Sequence, residues 1–288
     1  MTDEFEDLKN YIGVSETDED VVVASTIAKL AATIGVDNPA PNQGDPLPPG
    51  WHTPFFGAAT PPGELREDGS PAISGIAIPI PLPRRRLTGD TMEFHAPLHV
   101  GERITRRAEV ADIRIEDAAD GPVIHTILRH TIENDSGLTV TEERAFFYLG
   151  EHAAVPKIST QRPPAKADWE CSVAPDAVLM FRFSALRFNG HRVHYDRDYA
   201  MGVENCSGLL VPGGMISFML LDLCREKLPD RIVTEFGYRT VRPVYDTGPF
   251  TLAGTVIAKG NGVALWANGP DGKLAMTASA RLAPEPAA

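Results

Sequence analysis

The two halves of this 288-residue chain present the same order of strand and turn signals, and this repetition limits the possible folds most strongly. Residues 96–110 (APLHVGERITRRAEV) align with residues 242–256 (RPVYDTGPFTLAGTV), and residues 136–149 (SGLTVTEERAFFYL) align with residues 271–282 (DGKLAMTASARL). Each half shows a Pro, a nearby Gly, a long strand, and a hairpin that turns on Ser-Gly or Asp-Gly into a further strand. The pattern indicates an internal duplication.

A single long apolar helix is predicted in the second half. The segment GGMISFMLLDLCREKL (213–228) is apolar almost all round between Met215 and Cys224, which is typical of a helix buried on most sides. Strand-like runs surround it, at residues 91–149, 231–242, 249–258, 262–268 and 273–282. A sheet of long antiparallel strands with such a helix on its concave face is a hotdog fold. We therefore predict an α+β double hotdog, with antiparallel sheets that each wrap a helix, and a generic α+β sandwich as the alternative.

The remaining segments suggest a division into two domains. Acidic residues followed by apolar residues at helical spacing predict a helix over residues 16–35, and Gly35 supplies its stop. The Pro- and Gly-rich residues 38–83 indicate a long ordered excursion outside any sheet, and residues 178–184 look like a strand. The predicted units are an N-terminal degenerate hotdog (1–152), a linker (153–175) and a C-terminal hotdog (176–288).

Composition excludes several classes of function. The formal net charge of −12 disfavours nucleic acid as a partner, because the phosphate backbone favours basic surfaces. The sequence contains no run of 18 apolar residues, so no membrane span is predicted. The acidic N-terminus shows no secretory signal. Three scattered cysteines, Cys171, Cys206 and Cys224, suit neither a disulfide framework nor a zinc site. A cytoplasmic protein without a metal site is the expectation.

The segment FRFSALRFNGHRVHYDRDYA (181–200) concentrates the residues that are suited to chemistry. His191 and His194 are three residues apart, so one turn of helix would place them on the same side. Phe188 and Val193 alternate with them, which suggests partial burial. Histidine is the side chain best suited to proton transfer near neutral pH. A polar surface loop is the alternative interpretation.

This segment resembles the active-site stretch of the MaoC-like hydratases, whose pattern is D-x-N-P-x-H after an aromatic residue. With His194 as the anchor, Asn189 takes the place of the aspartate, His191 that of the asparagine, and Arg192 that of the proline. FNGHRVHYDRDYA is more similar still to the branch that contains 3-methylfumaryl-CoA (mesaconyl-CoA) hydratase and the mitochondrial hydroxyacyl-thioester dehydratase. In that branch Asn and His replace the Asp and Asn.

Two further segments extend this resemblance over most of the chain. Residues 79–106 (PIPLPRRRLTGDTMEFHAPLHVGERITR) look like the Pro-rich, Leu-Pro-Arg-Arg stretch of the same branch. Residues 208–215 (GLLVPGGM) correspond to its Gly-Leu-Val-Val-His-Gly-Pro-Leu, but Pro212 replaces its His and Gly214 replaces its Pro.

The resemblance implies a hydro-lyase that reversibly hydrates an enoyl-CoA thioester, with an acyl group like that of 3-methylfumaryl-CoA. It implies one active site, in the second half, and a first half that shapes the acyl-binding tunnel. The CoA thioester is then the substrate, and neither a metal nor another cofactor is expected. A small-molecule partner and a homodimer are also expected.

Hydration of an enoyl thioester requires a base for the attacking water and donors for the enolate oxygen. His194 is the candidate base, Asn189 can orient the water or a substrate carboxylate, and His191 can share the proton transfer. Gly213 and Gly214 open the apolar helix, and their amides are candidates to bind the enolate. A tight turn after Pro212 would explain the two glycines equally well.

Arginines are the candidate anion ligands in this acidic chain. Three consecutive arginines, Arg84, Arg85 and Arg86, form its most concentrated basic cluster, and Arg192 lies inside the histidine motif. Since a guanidinium donates two parallel hydrogen bonds, these residues are expected to contact CoA phosphates or the far carboxylate of a diacid substrate. A solvated patch of ion pairs is the alternative.

Two other functions are compatible with the sequence. A hotdog thioesterase would need an acidic group near the helix, and Glu204 is the nearest, although it precedes the glycines. A non-catalytic thioester-binding protein would explain the missing aspartate and Pro212. The sequence also leaves open whether CoA or an acyl carrier protein carries the thioester.

Overall fold

The computed structural model describes residues 2–36, 41–71, 76–150, 166–257 and 260–284, and for residues 2–4 the backbone alone. Within these ranges the chain forms strands β1 (Ser15–Val21), β2 (Arg84–Phe94), β3 (Arg103–Ala118), β4 (Gly121–Asn134), β5 (Gly137–Leu149), β6 (Trp169–Val173), β7 (Val233–Thr240), β8 (Phe250–Ile257), β9 (Gly262–Asn268) and β10 (Leu274–Leu282). Its α-helices are α1 (Ala24–Ile34), α2 (Ala177–Leu186), α3 (Arg197–Gly202) and α4 (Gly213–Lys227), and its 3-10 segments are Thr2–Tyr11, Pro62–Glu64 and Arg192–His194. None of these described helices is long and apolar enough to cross a bilayer.

The strands form one antiparallel sheet in the order β1-β3-β4-β5-β2-β7-β10-β9-β8-β6. At its centre β2 pairs with β7, from Gly89 opposite Arg239 to Glu93 opposite Glu235. Outward from this pair, the first half has the order β2-β5-β4-β3-β1 and the second half has the order β7-β10-β9-β8-β6. Each half therefore places its second, fifth, fourth, third and first strands in the same order. β3 and β8 therefore hold equivalent positions, as do β5 and β10, in agreement with the sequence alignment of the two halves.

Helix α4 packs across the second half of the sheet, against strands β7 to β10. Met215, Leu220 and Cys224 are fully buried, as the predicted all-round apolar surface requires. Burying one such large apolar side chain contributes about 1.5–3 kcal/mol to stability. The first half uses its helix differently, because α1 packs against α2. The deep helix that organises the core therefore belongs to the second half.

The Pro- and Gly-rich excursion joins the two halves, as far as residues 41–71 describe it. Trp51 is buried and its ring lies 6.0 Å from that of Phe218 on α4. The Trp51 indole Nε1 donates a hydrogen bond to the Asp222 carboxylate, with 3.3 Å between Nε1 and Oδ1. Gly50 has φ of +84°, and a Cβ there would lie 2.6 Å from Leu221 Cδ2. The turn at this position therefore requires glycine, and it closes the excursion onto α4.

The predicted helix over residues 16–35 is wrong in its first part. Residues 15–21 form edge strand β1, which pairs with β3. The acidic residues that suggested a helix start instead face arginines of β3: Asp18 lies 2.6 Å from Arg106, and Glu19 lies 3.0 Å from Arg103. The helix begins only at Ala24 and ends at Gly35, which has the predicted left-handed conformation.

Two predictions near the domain boundary are also corrected. Residues 178–184 belong to helix α2 and not to a strand, because the Asp176 side chain caps the helix by accepting from the Leu179 amide. Within the predicted linker 153–175, residues 169–173 form strand β6, which completes the sheet against β8. Residues 151–165 lie outside the described residues.

Gly89 is expected to be essential at the junction of the two halves. A Cβ at this position would lie 2.5 Å from the carbonyl oxygen of Tyr238 on β7. Gly89→Ala should therefore lower the free energy of unfolding by about 1–3 kcal/mol, as overpacking does elsewhere. Gly202→Ala is the control, because no atom lies within 4 Å of its Cβ position. Equal urea midpoints for the two variants would contradict the expectation.

Candidate active site

A cavity of about 450 Å³ lies where the two halves meet. The first half contributes wall residues from β2, β4 and β5, and the second half contributes the segment after α2, the start of α4, and β7. Of the residues predicted from sequence, Arg85, Asn189, His194, Gly213 and Gly214 line this cavity. The fold thus brings together side chains that are more than 100 positions apart in the chain.

His194 is held with one ring nitrogen occupied and the other available. The residue is 8% exposed, and its Nδ1 lies 2.7 Å from the carbonyl oxygen of Leu210. Since a carbonyl can only accept, Nδ1 carries the proton and Nε2 keeps its lone pair. Burial lowers the pKa of His194 to about 4, with the Leu210 hydrogen bond opposing the shift and His191 adding to it. The imidazole is therefore neutral at physiological pH, as a general base requires.

Asn189 presents an amide group to the same cavity. Its Oδ1 accepts a hydrogen bond from the backbone N–H of His191, at 3.2 Å. Within the described ranges no group accepts from its Nδ2, which can donate to a bound water or oxyanion. Phe188, which precedes it, has φ of +51° and is 70% exposed, whereas Val193 is buried, so the partial burial that was predicted from these two residues holds for Val193 and not for Phe188. The left-handed turn at Phe188 directs the chain from α2 into the histidine segment.

A neighbouring loop fixes the backbone of the histidine segment. The backbone amide of Arg192 donates to the backbone carbonyl of Asp68 in this loop, at 2.7 Å. Within the histidine segment itself, the Tyr195 hydroxyl donates to the backbone carbonyl of Gly190, at 2.9 Å. A Cβ on Gly190 would lie 2.9 Å from the carbonyl oxygen of Gly69. The close approach of Gly69 and Gly190 holds the segment that carries His194.

The N-terminus of α4 supplies backbone donors. Gly213 and Gly214 are its first two residues, and Pro212 precedes them as the N-cap. The first amides of a helix have no partner within the helix, and no described carbonyl or side chain accepts from these two. They line the cavity with His194. The arrangement can stabilise negative charge that develops on a substrate oxygen.

The predicted arginine cluster is divided by the strand that carries it. Successive side chains of a strand point to opposite faces, so Arg85 lines the cavity whereas Arg84 and Arg86 do not. The Arg85 guanidinium lies 4.0 Å from the centre of the Phe146 ring. Burial is the main cause that lowers the pKa of Arg85. Only the middle residue of the triplet is thus placed to contact a ligand in the cavity.

Arg192 and His191 are directed away from the cavity wall. Arg192 pairs with the Asp196 carboxylate at 2.8 Å and stacks over the Tyr199 ring at 4.0 Å. His191 lies beside His194 as predicted, with 5.4 Å between ring centres, but its Nε2 points towards Asp68 at 3.8 Å. The structure therefore supports neither Arg192 as a substrate ligand nor His191 as a direct proton donor.

Sequence reasoning missed a buried cluster of charged residues in the first half, formed by Asp90, His130, Glu142 and Arg144. Glu142 accepts from His130 Nδ1 at 2.9 Å and from Arg144 at 2.8 Å. Arg144 also lies 3.6 Å from Asp90. His130 stands directly opposite Glu142 across the β4–β5 ladder, and Asp90 stands opposite Arg144 across β2–β5. The spacing of Glu142 and Arg144, two apart on one strand face, is the signal that could have revealed the cluster.

The surroundings shift the pKa values of the two carboxyl groups of this cluster in opposite directions. Burial against the negative charge of Glu142 raises the pKa of Asp90 well above its ordinary value. The pKa of Glu142 is lowered well below its ordinary value, because Arg144 and the His130 hydrogen bond outweigh the effect of burial. The cluster therefore favours an ionised Glu142, which pairs with Arg144, and disfavours the ionised form of Asp90. All four residues line the cavity.

Comparisons with known proteins show the family and the fold of this chain. Residues 50–246 match the family model of hydroxyacyl-thioester dehydratase type 2. The chain is 35% identical over 275 residues to mesaconyl-C(4)-CoA hydratase of Chloroflexus aurantiacus, covering 94% of this chain and 96% of that protein.

Two solved structures share the architecture. A MaoC-like dehydratase from Phytophthora capsici is 14% identical, with a TM-score of 0.70 over 96% of this chain and 97% of that one. A Mycobacterium tuberculosis protein described as a double hotdog is 15% identical, with a TM-score of 0.55 over 94% of this chain and 96% of that one. The predicted double hotdog fold is confirmed.

The family match and the 35% identical relative show that this chain is a hydro-lyase, as the sequence predicted. The chain belongs to the hydroxyacyl-thioester dehydratase type 2 family. The resemblance that the histidine segment and the Leu-Pro-Arg-Arg stretch suggested is thereby confirmed, and the class of reaction is hydration or dehydration of an acyl thioester.

The ionised Glu142 should make a large contribution to stability. Glu142→Gln would leave the buried Arg144 without its countercharge, at a cost of about 3–5 kcal/mol in the free energy of unfolding. Glu143→Gln is the matched control, since Glu143 faces the other side of β5 and pairs at the surface with Arg129, where about 0–1 kcal/mol is expected. Chemical denaturation at neutral pH measures both variants.

The same pair has a defined pH dependence. Because the pKa of Glu142 is lower in the folded state, its stabilisation is present above the ordinary value of 4.5 and is lost as the pH falls through the folded pKa. That part of the acid destabilisation should disappear in Glu142→Gln. If the free energies of unfolding of the variant and the parent differ by the same amount at acidic and at neutral pH, the assignment of an ionised Glu142 is contradicted.

Proposed function

We propose that this protein reversibly hydrates an enoyl-CoA thioester with a short, branched or dicarboxylic acyl group, similar to 3-methylfumaryl-CoA. The observation that carries the proposal is the convergence of a neutral His194 and the unpaired amides of Gly213 and Gly214 on one cavity. These are the two functions that the reaction needs, a base and an anion-stabilising group.

The proposed reaction begins with a water molecule held between His194 and the β-carbon of the substrate. His194 Nε2 accepts a proton from the water as its oxygen bonds to the β-carbon. The electrons of the double bond move towards the thioester, and the amides of Gly213 and Gly214 stabilise the negative charge on its oxygen. The α-carbon then takes up the proton, which yields the 3-hydroxyacyl thioester. Dehydration follows the same steps in reverse.

Asn189 is assigned to water positioning. Asn189 lines the cavity, and in this proposal its amide Nδ2 donates to the attacking water, which leaves the proton of that water directed towards His194. An amide exchanges no proton at neutral pH. The acid–base work in this proposal therefore falls on His194 alone, and Asn189 lowers the barrier by orientation.

The relatives support a CoA thioester as substrate. The relative that is 35% identical is named for a CoA thioester of mesaconate. Arg85 lines the cavity without a carboxylate partner in the described chain, and a guanidinium suits a phosphate or carboxylate of such a ligand. Neither a metal nor a redox cofactor has a role in the proposed reaction.

Removing the imidazole of His194 should abolish most of the activity. General acid–base catalysis contributes about 10²- to 10⁴-fold, so His194→Ala should lower kcat for hydration of 3-methylfumaryl-CoA by that factor. The loss of enoyl-thioester absorbance measures the rate. His125→Ala is the control, since His125 pairs with Glu116 on β3 outside the cavity. Undiminished turnover by the His194 variant would refute the proposed base.

The neutral state of His194 sets the pH range of the reaction. Because the base must be unprotonated and burial lowers its pKa from 6.5 to about 4, hydration kcat/KM should fall only as the pH approaches about 4. Recovery of activity on return to neutral pH separates this titration from unfolding. An acid limb near 6.5 would show that the ring is solvated and would count against this site.

A further inference from the structure

The wall of the cavity carries more positive than negative charge. Arg144 pairs with Glu142, and Arg106 pairs with Asp18. The guanidinium groups of Arg85 and Arg187 make no hydrogen bond or ion pair to any described residue. Burial and the negative charge of Glu142 raise the pKa of Asp90, which disfavours the ionised form of the carboxyl that could otherwise serve either of them as a countercharge. Cations in a partly desolvated site are unfavourable unless an anion accompanies them.

Arg187 is the one of these two cations that lies beside the proposed reaction centre. It follows α2 as the C-cap, and its guanidinium lies 5.9 Å from the centre of the Phe183 ring. Its Nη1 is 2.9 Å from the position that a Cβ on Gly214 would take. Arg187 therefore lies next to the amides assigned to the thioester oxygen.

The surroundings of Arg187 favour an anionic ligand. Burial, followed by the nearby positive charge of Arg144, lowers the pKa of the Arg187 guanidinium, and the negative charge of Glu142 opposes this shift only in part. Burial and Arg144 both disfavour the cation in the empty cavity, and a bound carboxylate would relieve both effects. An alkyl group there would bury the same guanidinium and add no countercharge.

We propose that Arg187 binds a carboxylate carried by the acyl group, and so makes the enzyme selective for four-carbon dicarboxylic thioesters. This inference rests on the proposed function, because it uses the same cavity and the same place for the thioester. In a trans four-carbon enoyl unit the end carbons are about 3.8 Å apart, as across a trans peptide. The second carboxylate must therefore lie close to the thioester carbonyl, and Arg187 lies beside Gly214.

The guanidinium can hold that carboxylate by two parallel hydrogen bonds, which fixes the plane of the acyl group as well as its charge. The β-carbon is bonded directly to this carboxylate in 3-methylfumaryl-CoA. Arg187 thus positions the carbon that the water attacks, and its contribution is to specificity and orientation. No proton passes through it.

The test compares thioesters that differ only in a carboxylate or a methyl group. The first pair is 3-methylfumaryl-CoA and 3-methylcrotonyl-CoA, measured for hydration. The second pair is succinyl-CoA and butyryl-CoA, measured for binding by calorimetry, which needs no turnover. The parent protein should prefer the carboxylated member of each pair. Arg187→Met should reduce that preference on the order of 100-fold, mainly by loss of affinity for the carboxylated member.

Three further variants separate carboxylate recognition from general disruption. Arg187→Lys keeps the charge but loses the two-point geometry, so it should restore part of the preference. Arg85→Met tests the other arginine of the cavity that has no ion pair, and Arg114→Met is the control, because Arg114 pairs with Asp112 outside the cavity and should leave the preference unchanged. Thermal unfolding of each variant verifies that it is folded.

The outcomes are distinguishable. A parent protein that binds succinyl-CoA over butyryl-CoA through Arg187, but hydrates no enoyl-CoA, would overturn the proposed function and support the carboxylate site. Hydration that is equally fast for both members of the first pair would overturn the carboxylate site and support the hydratase. Loss of preference in Arg85→Met, with none in Arg187→Met, would also overturn the assignment to Arg187.

Discussion

The pairing of β2 with β7 is the interaction on which the rest of this structure depends. It joins two duplicated halves into one continuous sheet. Because Gly89 lets the Tyr238 backbone approach closely, the first half lies against the second in a single register. The strands of the first half then face the N-terminus of α4. A cavity that neither half could enclose alone is the direct result.

Division of labour between the halves follows from this geometry. The second half supplies the groups assigned to chemistry, His194 and the first amides of α4, on short segments that loop packing holds in place. The first half supplies a wall of strands, whose alternating side chains bring charged groups into a desolvated site. The first half therefore carries the buried pair of Glu142 and Arg144, whereas the second half carries the deep helix α4.

Burial in the cavity affects the protonation of its histidine, carboxyl and arginine groups differently. Desolvation keeps His194 neutral, as a base must be, and raises the pKa of Asp90. It cannot neutralise arginine under ordinary conditions, so Arg85 and Arg187 remain charged. The site is therefore prepared for an anionic ligand and a neutral base at once. This combination suits a thioester that carries a second acid group.

The sequence by itself determined the features that depend on near neighbours along the chain. The repeated strand and turn order, the all-round apolar helix and the histidine segment are local patterns, and all three predicted what the structure contains. Only the tertiary structure decided which arginines face the cavity, and that Asp90, His130, Glu142 and Arg144 form one buried cluster. Local periodicity places Glu142 and Arg144 on one strand face, but the strand pairing that adds His130 and Asp90 is not encoded in it. The same reason explains the errors over β1 and α2, where edge pairing and a single cap outweighed the local composition.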